Sequence, residues 1–142
     1  HARGQAMTIQ NGVGFKTLLA EANADVDTIT IEALQQTIGD DTIVVIDLRD
    51  IRELKREGHL PGAVHMPRGM LEFWVDPDSP YARPIFQEDK RFVFYCASAW
   101  RSALACQVAG RLGLQNASHL EGGFTGWKEA GGEVVAYKKR SK

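Results

Sequence analysis

A chain of 142 residues with 44% hydrophobic residues has the size of one ordinary domain and is long enough to bury a core. Its formal charge of -1 excludes a global field for nucleic acid or an acidic membrane, so any anion has to be held by local geometry. Two cysteines, Cys96 and Cys106, are too few for a disulfide framework and fit a reducing, cytoplasmic setting, and no stretch approaches the roughly 20 apolar residues that span a bilayer.

Residues 1–14 are polar, contain glycine and show no period, which reads as a flexible leader or processed end. From Phe15, the positions Leu18, Leu19 and Ala22 fall at helical spacing, predicting a helix to Ala24. Thr28 to Ile31 alternates as a strand, Glu32 to Ile38 reads as a helix, and Gly39-Asp40-Asp41 turns the chain. Ile43-Val44-Val45-Ile46 is a continuous branched run, the pattern of a central parallel strand covered on both faces. Asp50 and Glu53 have the spacing of a capping box, starting a helix at Ile51 that Gly58 stops. After the His59-Leu60-Pro61-Gly62 turn, Ala63 to Met66 reads as a short strand and Gly69 to Trp74 as a helix. Asp76 to Pro80, with Pro84 beyond, is a surface excursion.

Phe92-Val93-Phe94-Tyr95 is a second buried strand that delivers Cys96 at its carboxyl end. A helix from Arg101 to Leu112 follows, with Ala103, Leu104, Val108 and Leu112 inward and Gly113 as its stop. A strand at Ala117 to Leu120, the pair Gly122-Gly123 and a helix from Phe124 to Ala130 complete a single domain over 15–137, with a basic tail over 138–142. Alternating strands and helices predict an α/β fold with a mainly parallel sheet of about five strands and helices on both faces.

Ligands of open α/β sheets collect outside the carboxyl ends of the strands, where Cys96 lies. The small residues after it lead into a helix, so the backbone N–H groups of Ala97, Ser98, Ala99, Trp100 and Arg101 can turn toward the sulfur while the positive helix end faces it. Both effects favour a nucleophilic thiolate. A buried inert cysteine is the bland alternative for Cys96 and the preferred reading for Cys106, which sits among alanine, leucine and valine.

Three blocks together resemble the rhodaneses. They are Asp47-Leu48-Arg49-Asp50 with Glu53 and Gly58 to Pro67, the loop from Tyr95 to Ser102, and Leu120-Glu121-Gly122-Gly123-Phe124-Thr125-Gly126-Trp127 with Ala130-Gly131-Gly132. The resemblance implies a sulfurtransferase in which Cys96 takes sulfane sulfur from a small anionic donor such as thiosulfate, holds it as a persulfide, and passes it to a thiol, cyanide or protein acceptor. It implies no metal and no organic cofactor, and the loop amides would stabilise both the thiolate and the persulfide. Many family loops carry glycine where this chain has Ala99. If that position needs a positive φ, the loop has to adjust, with consequences for rate and donor preference.

Arg101 is suited either to holding the donor or to bracing the loop against Asp47 or Glu53, bracing being the better match to a bidentate carboxylate. Arg49 follows the neighbouring strand and reads as reaching the same mouth, with a solvated surface charge as the alternative. Asp47 ends a buried strand, so a loop N–H or an arginine has to satisfy it. Trp100 is a pocket wall or a residue packed under the loop. His59, His65 and His119 lack metal-ligand spacing and read as structural.

A cysteine phosphatase or arsenate reductase is a rival, but that branch resembles His-Cys, five residues, then Arg. Here Tyr95 precedes Cys96 and four residues separate it from Arg101. A noncatalytic rhodanese-like binding module is the other rival, with 72–86 and its Phe73, Trp74 and Tyr81 as a docking surface or a capped core edge.

Overall fold

The branched run Ile43–Asp47 becomes the centre of a parallel sheet in the computed structural model, which describes residues 8–139. The readings of residues 1–7 and 140–142 as leader and tail lie outside the described residues. In chain order the elements are α1 (Phe15–Asp25), β1 (Asp27–Ile29), α2 (Ile31–Thr37), β2 (Ile43–Asp47), α3 (Ile51–Glu57), β3 (Val64–His65), α4 (Leu71–Val75), β4 (Arg91–Tyr95), α5 (Trp100–Arg111), β5 (Ala117–Leu120) and α6 (Gly123–Glu129). The five strands are all parallel and lie in the order β1-β5-β4-β2-β3.

Alternation along β2 and β4 splits the core in two. Val44 and Ile46 with Phe92 and Phe94 meet Leu71 and Val75 of α4 and Ala105, Cys106 and Ala109 of α5. Val45 with Val93 and Tyr95 meets Leu34 of α2 and Phe124 and Trp127 of α6 on the other face. Both faces of the central strands are therefore apolar, which is why β2 and β4 read as unbroken hydrophobic runs. Among the described residues no helix is long and apolar enough to cross a membrane.

Two local expectations change. The first strand covers Asp27–Ile29 and stops before Thr30, whose hydroxyl accepts the Ala33 N–H at 3.1 Å and starts α2 at Ile31. An N-cap bond thus overrides the alternation that suggested a strand through Ile31. Helix α5 buries Ser102, Ala103, Ala105, Cys106 and Ala109, while Leu104, Val108 and Leu112 are only half-buried. The side toward the sheet is the small-residue side, which allows close approach, and α1 packs on α5 so that the larger residues are partly covered as well. The stretch 72–86 takes the capped-core-edge form of its two readings at Val75 and Phe86, which enter the core, and Arg83 lies 5.7 Å from the Trp74 ring, while Phe73 and Tyr81 stay exposed.

Candidate active site

Strand β2 pairs with β3 on one side and β4 on the other, so the chain leaves β2 in one direction and returns across it in the other. A crevice opens at the carboxyl ends of strands where such a reversal occurs. Asp47 ends β2 and Cys96 follows β4 at that point, and the Leu48 N–H donates to the Tyr95 carbonyl at 2.9 Å.

The loop after β4 is tied to the start of α6. Phe124 N–H donates to the Cys96 carbonyl at 2.8 Å and Thr125 N–H to the Ala97 carbonyl at 3.1 Å. Gly123 takes φ +60, and a Cβ there would lie 2.6 Å from the Ala97 oxygen and 2.7 Å from the Cys96 oxygen. Glycine is the residue that this approach tolerates. The pair Gly122-Gly123 is therefore the seat of the cysteine loop.

Ala99 adopts φ 72, ψ 6, a left-handed conformation, so it is the alanine that strains and not the loop that adjusts. Helix α5 then starts at Trp100 with no side-chain cap from Ala99. The Cys96 sulfur takes that role: the Ser102 N–H, one of the amides that a helix start leaves unpaired, points to Sγ at 3.4 Å. Here the expectation of convergent amides from Ala97 to Arg101 is corrected. Among the described residues Ser102 supplies the amide hydrogen bond to the sulfur, because the orphan donors of the first turn begin only after the left-handed Ala99. Cys96 is also 1% exposed.

Arg101 braces the loop. Its Nη1 and Nη2 donate to the two Glu53 oxygens at 2.8 and 2.9 Å. The hydrogen bond from Arg101 leads in lowering the Glu53 carboxyl to about 2, and Glu53 in turn holds the guanidinium above its usual value, with a smaller contribution from the neighbouring Cys96. Glu53 also accepts the Asp50 N–H at 2.9 Å and completes the capping box of α3, so one carboxylate joins a helix start to the loop.

Arg49 departs from the expectation of a mouth residue. It is fully buried, with Nε and Nη2 on Asp47 at 3.0 and 2.8 Å and Nη2 on the Gly58 carbonyl at 2.7 Å, and its guanidinium lies 4.2 Å from the Phe124 ring centroid. Burial works against the cation, but hydrogen bonding to Asp47 and the Asp47 charge outweigh it and raise the group. Asp47 accepts besides from the Arg49 N–H at 2.9 Å and from the Tyr95 hydroxyl. Burial first, then the Asp47 charge, keeps that phenol protonated. Asp47 therefore supports the floor beneath the loop rather than pairing with Arg101. Trp100 is 56% exposed and its ring lies 5.2 Å from that of Phe15 of α1, tilted by 42°, neither buried under the loop nor packed into the core.

Two polar residues behind Cys96 carried no functional signal in the sequence. Ser102 Oγ lies 3.6 Å from Sγ and 3.0 Å from His119 Nδ1. The sequence places Ser102 at the end of the cysteine loop and lets His119 read as structural, and only the packing of α5 on β5 brings them together. Among the described residues no group of three or more His, Cys, Asp or Glu side chains is placed to hold a metal ion.

With this geometry, the chain matches the family described as Rhodanese-like domain over residues 30–130. The chain belongs to that family. A rhodanese-related protein of Thermoplasma volcanium shares its fold with a TM-score of 0.65 and 30% identity, over 78% of this chain and 99% of that one. The human thiosulfate:glutathione sulfurtransferase is 26% identical over 112 residues, which is 75% of this chain and 96% of the human one. A Rhodopseudomonas palustris protein of unknown function, described as a possible tyrosine phosphatase, is 48% identical with a TM-score of 0.86, over 93% of this chain and 100% of that one. The rhodanese-like chain spans 57% of the length of a Synechocystis relative and 66% of a mouse relative.

Proposed function

We propose that this rhodanese-like protein transfers sulfane sulfur through a persulfide on Cys96. The observation that carries the reading is the seat of the sulfur: Cys96 follows β4 at the switch point, accepts the Ser102 N–H at 3.4 Å, and lies next to the braced Arg101. An amide and a helix start directed at a thiolate favour its ionised form. In the first half-reaction the thiolate attacks the outer sulfur of a donor such as thiosulfate. A new S–S bond forms, the donor's S–S bond breaks, and sulfite leaves with its electron pair. In the second, a thiolate or cyanide attacks the outer sulfur and returns Cys96 as thiolate. The group on Cys96 carries a single negative charge in both resting states. Because Cys96 is 1% exposed, approach of the donor requires the groups that cover the sulfur to move.

A phosphatase is the second reading, favoured by the description of the Rhodopseudomonas protein. The spacing opposes it: Cys96 and Arg101 are separated by four residues, and Arg101 already gives both terminal nitrogens to Glu53, whereas a tetrahedral oxyanion needs donors on several sides. Incubating the reduced protein with thiosulfate and taking an intact mass separates the two. Gain of one sulfur atom, lost in Cys96→Ser and kept in Cys106→Ser, is the expected result. Hydrolysis of aryl phosphates without sulfur loading would replace this reading with the phosphatase.

A further inference from the structure

A buried polar line runs away from Cys96 to the opposite side of β5. From Sγ it passes to Ser102 Oγ at 3.6 Å, then to His119 Nδ1 at 3.0 Å, and from His119 Nε2 to Thr28 Oγ1 at 3.4 Å. Cys96, Ser102 and His119 are each 2% exposed or less, whereas Thr28 is exposed on the edge strand β1, in register with His119. Water therefore touches the line at its far end and not at the sulfur.

Each link in this line carries one movable proton, and that allows two complete arrangements. With the thiol protonated, S–H donates to Ser102 Oγ, the Ser102 hydroxyl donates to Nδ1, and Nε2–H donates to Thr28 Oγ1. With the thiolate, the Ser102 hydroxyl donates to the sulfur, Nδ1–H donates to Ser102 Oγ, and the Thr28 hydroxyl donates to Nε2. Every group keeps a partner in both, which buried polar groups require.

We propose that His119 is a positioning residue for Cys96, exchanging one neutral tautomer for the other as the thiol proton leaves toward Thr28 and so turning the Ser102 hydroxyl onto the thiolate. The exchange balances. The S–H bond breaks and a Ser102 O–H bond forms, the former serine proton binds Nδ1, the Nε2 proton passes to Thr28, and Thr28 releases its own proton to water. No electron changes owner.

Neutrality of the ring is essential, since an imidazolium holds protons on both nitrogens and cannot accept from Ser102. Burial lowers the His119 ring below the usual histidine range, which keeps it neutral where thiols ionise. The charged and titratable groups around the line are few. Arg101 with Glu53 flanks the sulfur, and Cys106 lies one turn beyond Ser102 on the same buried side of α5. Asp27 sits beside Thr28 on β1, Asp25 at the end of α1 is held by Gln107, and β4 offers the apolar Phe94 in register with His119.

The proposal rests on the reading of Cys96 as a thiolate nucleophile, but its test does not use sulfur transfer. In the reduced full chain labelled with ¹⁵N-histidine, the proton on the His119 ring should move from Nε2 to Nδ1 over the pH range in which thiolate absorbance appears, with no imidazolium signal, and Cys96→Ser should abolish the move. Ser102→Ala and His119→Phe should each raise the midpoint of thiolate formation by about one pH unit, about tenfold less thiolate at neutral pH, and Ser102→Thr should restore it. A tautomer unchanged through the ionisation of Cys96 overturns the proposal, as does a folded His119→Phe variant that ionises at the wild-type pH. A normal tautomer exchange in a protein that never loads sulfur would instead overturn the transfer reading and leave this one standing.

Discussion

Cys96 and Cys106 are ten positions apart, and both are shut away from solvent, at 1% and 3% exposure. Their surroundings differ. Cys96 has the Ser102 amide and hydroxyl within hydrogen-bond reach and a cation beside it, while Cys106 is packed among Phe92, Phe94 and Ala109, and burial, with a smaller effect of Asp27, pushes its thiol up to about 12. Accessibility alone thus fails to distinguish a candidate nucleophile from a core residue. What separates them is whether donors wait for the charge that ionisation creates.

The largest effect expected from this difference is in labelling. At pH 8 a thiol that ionises near 12 is thiolate in only about one molecule in 10⁴, so native protein treated with iodoacetamide should gain a single adduct, at Cys96, and a second only after unfolding. Two adducts on folded protein, counted by intact mass, would erase the contrast. Next in size is Gly123→Ala. Its Cβ would meet two loop carbonyls below 3.0 Å, at a position with φ +60, and the combination should cost about 3 kcal/mol in denaturant unfolding and impair sulfur loading. Unaltered loading and stability would show that α6 does not seat the loop.

A smaller effect follows from Glu53→Gln, which removes the ion pair with the half-exposed Arg101 and should cost about 1 kcal/mol at neutral pH once solvent screening is allowed for. Here the sign with pH is definite. The Glu53 carboxyl is lowered from 4.5 to about 2 in the folded protein, so its contribution is present above about pH 4.5 and is lost as pH falls toward 2. Wild type and Glu53→Gln should therefore differ in thermal stability at pH 7 and converge in acid, and a constant difference would refute the pairing. The smallest change is Ala99→Gly. Relief of a left-handed alanine is worth about 1–2 kcal/mol, and the extra freedom of unfolded glycine takes back about 0.5–1, leaving a gain of about 0.5 kcal/mol. A lower melting temperature would mean that Ala99 is not strained.

Much of this was legible before any coordinates. The branched run of β2, the apolar run of β4 and the strand-end position of Cys96 follow from patterns that local sequence imposes on a doubly covered sheet. The capping box at Asp50 and Glu53 also formed as its spacing predicts. Less legible were the termination of β1, where Thr30 chose a cap over a pleat, and the rotation of α5, where small residues rather than Leu104 and Val108 face the sheet. Periodicity identifies a helix but leaves its orientation to whatever neighbour fits most closely.

Arg49 makes the same point at the site. Nothing in Asp47-Leu48-Arg49 distinguishes a cation aimed at a crevice from one folded back onto its own strand, and the outcome depended on Phe124, Tyr95 and the Gly58 carbonyl arriving from elsewhere. By itself the amino-acid order determined the alternation of strands and helices, the identity of the candidate nucleophile and the length of its loop, because these depend on near neighbours along the chain. The bracing of Arg101 by Glu53 of α3, the covering of Arg49 by Phe124 of α6 and the line through Ser102 to His119 of β5 were decided only by tertiary packing, since contacts between distant segments are chosen by fit and by the need to satisfy every buried polar group.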